Sequence, residues 1–333
     1  MAMKKFINKA ENLVPELIDG FVKANPEIVK QSGERIVSRV IPKEAGKVGV
    51  VTMGGAGHEP ALIGWVGKGL MDVVALGDIF AAPGAPRVIE ALKQADFGAG
   101  VVLVVFNHEG DVLSSNMVIQ MAGRQGLKMK RILSSDDISN APRDDQENRR
   151  GLIGTLMVLK VVGAAAEAGY SFEEVLRVGE KMSLSTATIA VAATPATHPA
   201  TGHPFFSLPD DEMEIGMGQH GEAGVGRMKL KSADETADIM LTQLLKDLDV
   251  KPGDKLVATI NGTGATTLME MFIVFRHLTQ ILEEKGIQLV GSQIGELLTV
   301  QEQGGFQMSI GRVDDELERL FKAPCNAPYY KVC

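Results

Sequence analysis

The chain has 333 residues, 45% hydrophobic and 23% charged, and a net charge of −8 at neutral pH. That size exceeds one simple domain, and the composition is that of a globular protein able to bury a sizeable core. The acidic balance argues against a nucleic-acid binder, and no run reaches the roughly 18 uncharged apolar residues that span a bilayer. The first 18 residues carry Glu11 and Glu16 and lack a continuous apolar stretch, so no signal peptide is expected. Cys325 and Cys333 both lie in the C-terminal tail. They form neither a disulfide framework nor a four-ligand metal site, and a reduced cytoplasmic protein is the expectation.

Residues 6–30 space Phe6, Ile7, Leu13, Leu17 and Phe21 at helical intervals, which predicts a pair of surface helices. A short β-branched strand over 47–53 runs into Gly54-Gly55-Ala56-Gly57-His58-Glu59-Pro60, and Ala61 to Val66 reads as the start of a helix. Gly100 to Phe106 is apolar on both faces, as parallel strands covered by helices are. Asn107-His108-Glu109-Gly110-Asp111 follows it, then a helix over 112–125 and a strand over 129–133. The polar stretch 134–150 reads as an exposed loop, and 151–167 as a strongly apolar helix. A second lobe opens with a strand at 188–192 and a glycine-dominated segment, 214–224. An amphipathic helix (234–248), a strand (255–260), Asn261-Gly262-Thr263-Gly264-Ala265-Thr266, a helix (268–285) and a strand (287–290) complete it. The fold class is therefore α/β: two α/β lobes, 1–184 and 185–333, with glycine-rich turns at strand ends.

Gly54 to Gly57 is expected where backbone amides and a helix N-terminus converge on an oxyanion or hydroxyl group. It lacks the Lys-Ser/Thr of a P-loop and the spacing of a dinucleotide turn, so it gives no nucleotide signature. A tight turn accounts for one or two of these glycines but not for His58 and Glu59 directly behind them. Of six histidines, His277 lies within a helix as a surface or packing residue. His198 and His203 are five apart across Pro199 and Gly202, a spacing no helical metal motif uses. His58, His108 and His220 remain, all in glycine-flanked turns. Asp111, just past a buried strand, is placed either as a general base or as the N-cap of the next helix.

These segments resemble the substrate-binding K subunit of bacterial dihydroxyacetone kinase along essentially the whole chain. The resemblance runs through Gly55-Ala56-Gly57-His58-Glu59-Pro60-Ala61, Gly67-Lys68-Gly69, Asn107-x-x-Gly110-Asp111-Val112 and Arg149-Arg150-Gly151-x-x-Gly154-Thr155. It continues through Gly163 to Glu167, Glu214-Ile215-Gly216-Met217-Gly218-Gln219-His220-Gly221-Glu222 and Asn261-Gly262-x-Gly264-Ala265-Thr266-x-Leu268-Met269-Glu270. The resemblance implies that the ketose carbonyl carbon bonds to His220 as a hemiaminal, that His58 does acid/base work and that Asp111 deprotonates the terminal hydroxyl. It implies substrate contacts from Gly55, Ala56, Gly57, His58, Phe106, Asp111 and His220. It implies no cofactor or metal on this chain, ADP or ATP with magnesium on a separate nucleotide-binding L subunit, and a homodimer. A phosphotransferase-system protein recharges that nucleotide in many bacteria.

Three positions depart from the family pattern: Phe106 replaces a lysine, His108 a tyrosine and Ala56 a serine. The C-terminal tail from Lys322 differs too. Loss of the lysine removes a cationic donor that phenylalanine cannot replace. The departures fit a pocket adapted to another ketose, such as the tetrulose erythrulose, or a non-phosphorylating paralogue that senses ketose as a transcriptional co-activator. Retention of His58, Asp111 and His220 together favours catalysis, since a sensor has no use for the base.

Overall fold

The computed structural model describes residues 4–222 and 224–333; Ala223, inside the glycine-dominated segment, lies outside the described residues. The chain begins with α1 (Leu13–Ala24), β1 (Val29–Gly33), β2 (Ile36–Arg39), β3 (Gly49–Ala56) and β4 (Val73–Ile79). It continues with α2 (Ala85–Gln94), β5 (Val101–Phe106), α3 (Glu109–Arg124), β6 (Met129–Ser134), α4 (Gly154–Glu167) and α5 (Phe172–Leu184). Then come β7 (Thr186–Thr194), β8 (Glu212–Ile215), β9 (Gly226–Lys229), α6 (Ala233–Asp247), β10 (Lys255–Gly262) and α7 (Leu268–Glu284). The last elements are β11 (Gln288–Gly295), β12 (Gly304–Val313), α8 (Asp315–Lys322), β13 (Cys325–Ala327) and β14 (Tyr330–Val332). They form two compact units. The first comprises Lys5–Ser134, Val158–Lys181 and Arg319–Cys333, and the second is built mainly from Ser135–Met157 and Met182–Glu318.

The first unit carries a six-stranded sheet in the order β1-β2-β4-β3-β5-β6. β3 runs parallel to β4 and β5, and β5 parallel to β6. All six residues of β5 are buried, as its two-faced apolar sequence requires. β3 is followed by β4 on one side and β5 by β6 on the other. The crevice between the carboxyl ends of β3 and β5 is therefore a topological switch point, where open α/β sheets bind ligands. The second unit has the order β11-β10-β12-β7-β8-β9, with β10 and β11 parallel and the remaining pairs antiparallel. α6 and α7 cover it through Met240, Leu244, Met271 and Leu278. Both helices start with capping boxes, Ser232 with Glu235 and Thr267 with Glu270.

Four local expectations change. The pair of surface helices over 6–30 is one helix, α1, followed by strand β1, because Asn25-Pro26 stops the helix. The helix expected from Ala61 is only a 3-10 turn, Ile63–Trp65, entered through Leu62 at φ +65°. Residues 61–66 are all buried and offer no polar face for a surface helix. β12, central in its sheet, went unread because Gln307 and Ser309 interrupt its apolar run. Both are buried with internal partners: Gln307 accepts from the Ile153 N–H (3.0 Å) and Ser309 from the Thr188 hydroxyl (2.8 Å).

The stretch 134–150 is not an exposed loop. Asp136, Asp137 and Arg149 are at most 1% exposed, and the segment bridges to β7 at Thr188. Its buried charges find partners inside the unit, while Asp144 and Glu147 face solvent. Arg149 grips Asp247 with two nitrogens, at 3.0 and 2.6 Å, while its Nε donates to the Ala141 carbonyl. Removing one member of such a buried pair strands the other. Asp247→Asn is expected to lower unfolding free energy by about 3–5 kcal/mol in urea titration, against under about 1 kcal/mol for breaking the exposed Lys23–Asp19 pair. Equal effects at the two sites would contradict this account.

Candidate functional site

In the first unit three connections meet at the switch-point edge. β3 ends in Gly54-Gly55-Ala56, and its continuation carries His58, which is 7% exposed. The segment leaving β4 forms a shared wall. The Phe80 ring meets the His58 ring edge-on at 4.7 Å, and the Ala82 methyl lies 3.6 Å from where a Gly110 Cβ would stand. Gly57, at φ +104°, has no room for a side chain, since a Cβ would come 2.9 Å from the Phe80 ring. Gly55 is equally closed, with Ala81 N 2.6 Å from its Cβ position.

The expected amide cradle at a helix N-terminus is corrected here, because no α-helix follows Gly57. Its amide instead donates to both carboxylate oxygens of Glu59, at 2.9 and 3.1 Å. Burial pushes the Glu59 carboxyl up, against the pull of those amides. Glu59 is thus a structural partner of the turn that the sequence motif contained without revealing its role.

β5 delivers Phe106, 6% exposed and stacked on the buried Trp65 at 6.4 Å. His108 is the N-cap residue of α3, and Asp111 lies within the first turn of that helix, half-buried. The N-cap alternative for Asp111 therefore falls away. Among the other histidines, His277 lies 3.0 Å from Asp238 on the second-unit surface, and His198 and His203 close a tight hairpin.

His220 belongs to the second unit, on the turn between β8 and β9, with 29% of its side chain exposed. The His220 backbone N–H donates to Glu222 Oε2 at 2.8 Å, and Glu222 Oε1 lies 3.5 Å from His220 Nδ1. Burial alone would raise the Glu222 carboxyl, but the His220 ring and the turn amides hold it well below the usual carboxylate range. A carboxylate at Nδ1 favours the tautomer with its proton there and leaves the Nε2 lone pair as nucleophile.

Arg150 anchors this turn. Its Nη2 donates to the Gly216 carbonyl (3.0 Å) and its Nε to Asp137 (2.9 Å), while Ser139 Oγ also donates to Gly216 O (3.1 Å). The sequence displayed Arg150 in a shared block yet gave it no role, because its partners lie 13 and 66 residues away.

Residues 19–329 match the Dak1 domain. The chain is 38% identical, over 94% of its length and 95% of the relative's, to the dihydroxyacetone-binding subunit DhaK of PTS-dependent dihydroxyacetone kinase 1 from Listeria innocua. It is 36% identical over 99% of its length to the L-erythrulose kinase of Pectobacterium atrosepticum, of which it spans 56%. Among solved structures it aligns with a dihydroxyacetone kinase operon co-activator at TM-score 0.90 and 27% identity, covering 96% of this chain and 99% of that one. It aligns with the dihydroxyacetone kinase of C. freundii at TM-score 0.89 and 29% identity, covering 100% of this chain and 61% of that one. The chain belongs to the Dak1 family.

Proposed function

We propose that this chain is the substrate-binding subunit of a kinase for dihydroxyacetone or a related short ketose, and that it holds the ketose covalently on His220. The observation that carries the reading is the Glu222 carboxylate beside His220 Nδ1, which leaves Nε2 to attack. In the addition, a bond forms from Nε2 to the carbonyl carbon and the C=O π pair moves to oxygen, which takes a proton. Release of the Nδ1 proton to solvent, matching the one taken up by oxygen, closes the balance and gives a neutral hemiaminal. Polyols have no electrophilic carbon and cannot form it. His58 is proposed as the acid/base group at the substrate, and Asp111 as the base for the hydroxyl that attacks phosphorus. Gly55, Ala56, Gly57 and Phe106 are proposed to complete the substrate pocket.

The phosphoryl donor is proposed to be ADP or ATP with magnesium on a separate nucleotide-binding subunit. A solved C. freundii dihydroxyacetone kinase, of which this chain covers 61%, carries AMP-PNP and Mg2+. The subunit is proposed to work in the cytoplasm as a homodimer. Support for a second copy comes from β11, an eight-residue edge strand with no charged side chain, and from Met269, Phe272 and Ile273 exposed on α7. Uncharged edges invite antiparallel pairing.

A second reading, a ketose-responsive co-activator, is favoured by one specific feature. By the sequence resemblance, Phe106 stands where kinase members usually carry a lysine, and a solved operon co-activator aligns with this chain over 99% of its own length. An apolar ring there also suits a ketose with an extra carbon, such as erythrulose.

Two measurements test these readings. Asp111→Asn keeps the shape of the side chain and removes the proton acceptor. With a cognate nucleotide subunit it is expected to retain adduct formation and lose about 10²–10⁴-fold in turnover on dihydroxyacetone or erythrulose. Normal turnover would remove Asp111 as base, and wild-type binding without phosphorylation of any short ketose would contradict the kinase reading and favour the co-activator. Sedimentation is expected at twice the 35.6 kDa chain mass, shifting to the single chain in Met269→Glu/Phe272→Glu; a wild-type monomer contradicts the dimer.

A further inference from the structure

We propose that Arg150, braced by Asp137, is a positioning residue that fixes the His220 turn so that Nδ1–H stays on Glu222 and Nε2 faces the ketose. The inference rests on the covalent reading of His220 and extends it to residues 70 and 83 positions earlier in the chain.

The turn cannot orient itself. Within 216–224 four positions are glycine: Gly216, Gly218, Gly221 and Gly224. Gly216 and Gly221 adopt φ of +79° and +81°, values that other residues resist. Such a segment loses much conformational freedom when ordered, so its geometry needs an external clamp. Arg150 supplies one. Its side chain is 12% exposed and that of Asp137 is 0% exposed, and the pair lies 2.8 Å apart. Asp137 is fixed in turn, accepting from the Ser139 N–H (3.0 Å) and donating its own N–H to the Arg150 carbonyl (3.0 Å). From this frame Arg150 holds the Gly216 carbonyl at 3.0 Å.

The clamp also reaches the residues that govern the ring. A Cβ on Gly218 would collide with both the Glu222 carboxylate and the Arg150 guanidinium, so the two groups flank the same backbone position. The Gly218 N–H donates to the Glu222 carbonyl at 3.0 Å, closing the loop that carries His220 between them. Glycine at 218 is therefore the gap through which the cation faces the carboxylate. A lysine would preserve the charge, but its single ammonium cannot reproduce a planar fork that holds Asp137 and Gly216 together.

The test uses the full chain with ¹⁵N-labelled histidine, comparing wild type with Arg150→Lys, Arg150→Gln and Ser139→Ala. Ring nitrogen shifts report the His220 tautomer, and intact-protein mass spectrometry over time reports adduct formation with dihydroxyacetone across pH. The wild type is expected to show predominantly Nδ1–H. Arg150→Gln is expected to mix the tautomers and slow adduct formation about 10–100-fold, the scale on which partners that orient a histidine ring act at metal sites, with Arg150→Lys intermediate. If Arg150→Gln does not fold, Arg150→Lys and Ser139→Ala carry the same comparison. Folded variants with the wild-type tautomer and adduct rate would overturn the proposal and leave Arg150 a stability residue. If the wild type forms no adduct while the tautomer still shifts in the variants, the covalent reading fails and the positioning role stands.

Discussion

Asp136 and Asp137 are adjacent carboxylates, both withdrawn from water, and the second unit is arranged around the cost of keeping them there. Burial pushes Asp136 up to about 6, even though it accepts the amides of Leu152 and Gly154 at 2.8 and 2.9 Å. Those amides are the orphan donors at the start of α4, so the charge and the helix end satisfy each other. Asp137 is held by Arg150 instead, and Arg150 passes the constraint to the turn that carries His220. Like charges side by side in a dry interior persist only when each has its own set of donors. Here one set starts a helix and the other braces the turn that carries His220.

The first unit solves a related problem with space rather than charge. Its switch-point edge brings the ends of β3 and β5 to one crevice, and the wall from Phe80 to Ala82 closes both sides. Glycines at 55 and 57 admit that wall, and Glu59 takes the amide that would otherwise face the crevice. The result is a His58 ring held against Phe80 and an Asp111 carboxylate presented from the first turn of α3. Both units thus use a glycine to let a larger group, an aromatic ring or a guanidinium, approach the backbone closely.

Much of this was legible before any coordinates. The two-sheet α/β organisation follows from apolar strands alternating with amphipathic helices, and the glycine turns after β3 and β10 stand out by composition alone. His220 was readable as the histidine of a glycine-rich turn, but the Glu222 carboxylate beside its ring emerged only from the structure. Other features required the fold. The stretch 134–150 looks solvated because polarity in sequence does not distinguish water from a buried partner. Arg149 and Asp247 are 98 residues apart, and only the packed unit joins them. β12 was hidden for the same reason, its Gln307 and Ser309 being polar yet internally bonded. The false helix at 61–66 came from apolar content without periodicity, which a buried irregular segment shares.

The central claim is that His220 forms a bond to the carbonyl carbon of a short ketose, and carbon NMR addresses it directly. Dihydroxyacetone labelled with ¹³C at its carbonyl carbon, added to the full chain, should lose the ketone resonance and gain one in the tetrahedral region of carbon bearing oxygen and nitrogen. With ¹⁵N-labelled histidine the new signal should split by one-bond coupling to a ring nitrogen, and it should vanish in His220→Asn. Saturable binding that leaves the labelled carbon a ketone or its hydrate, with no coupling to nitrogen, would contradict the account.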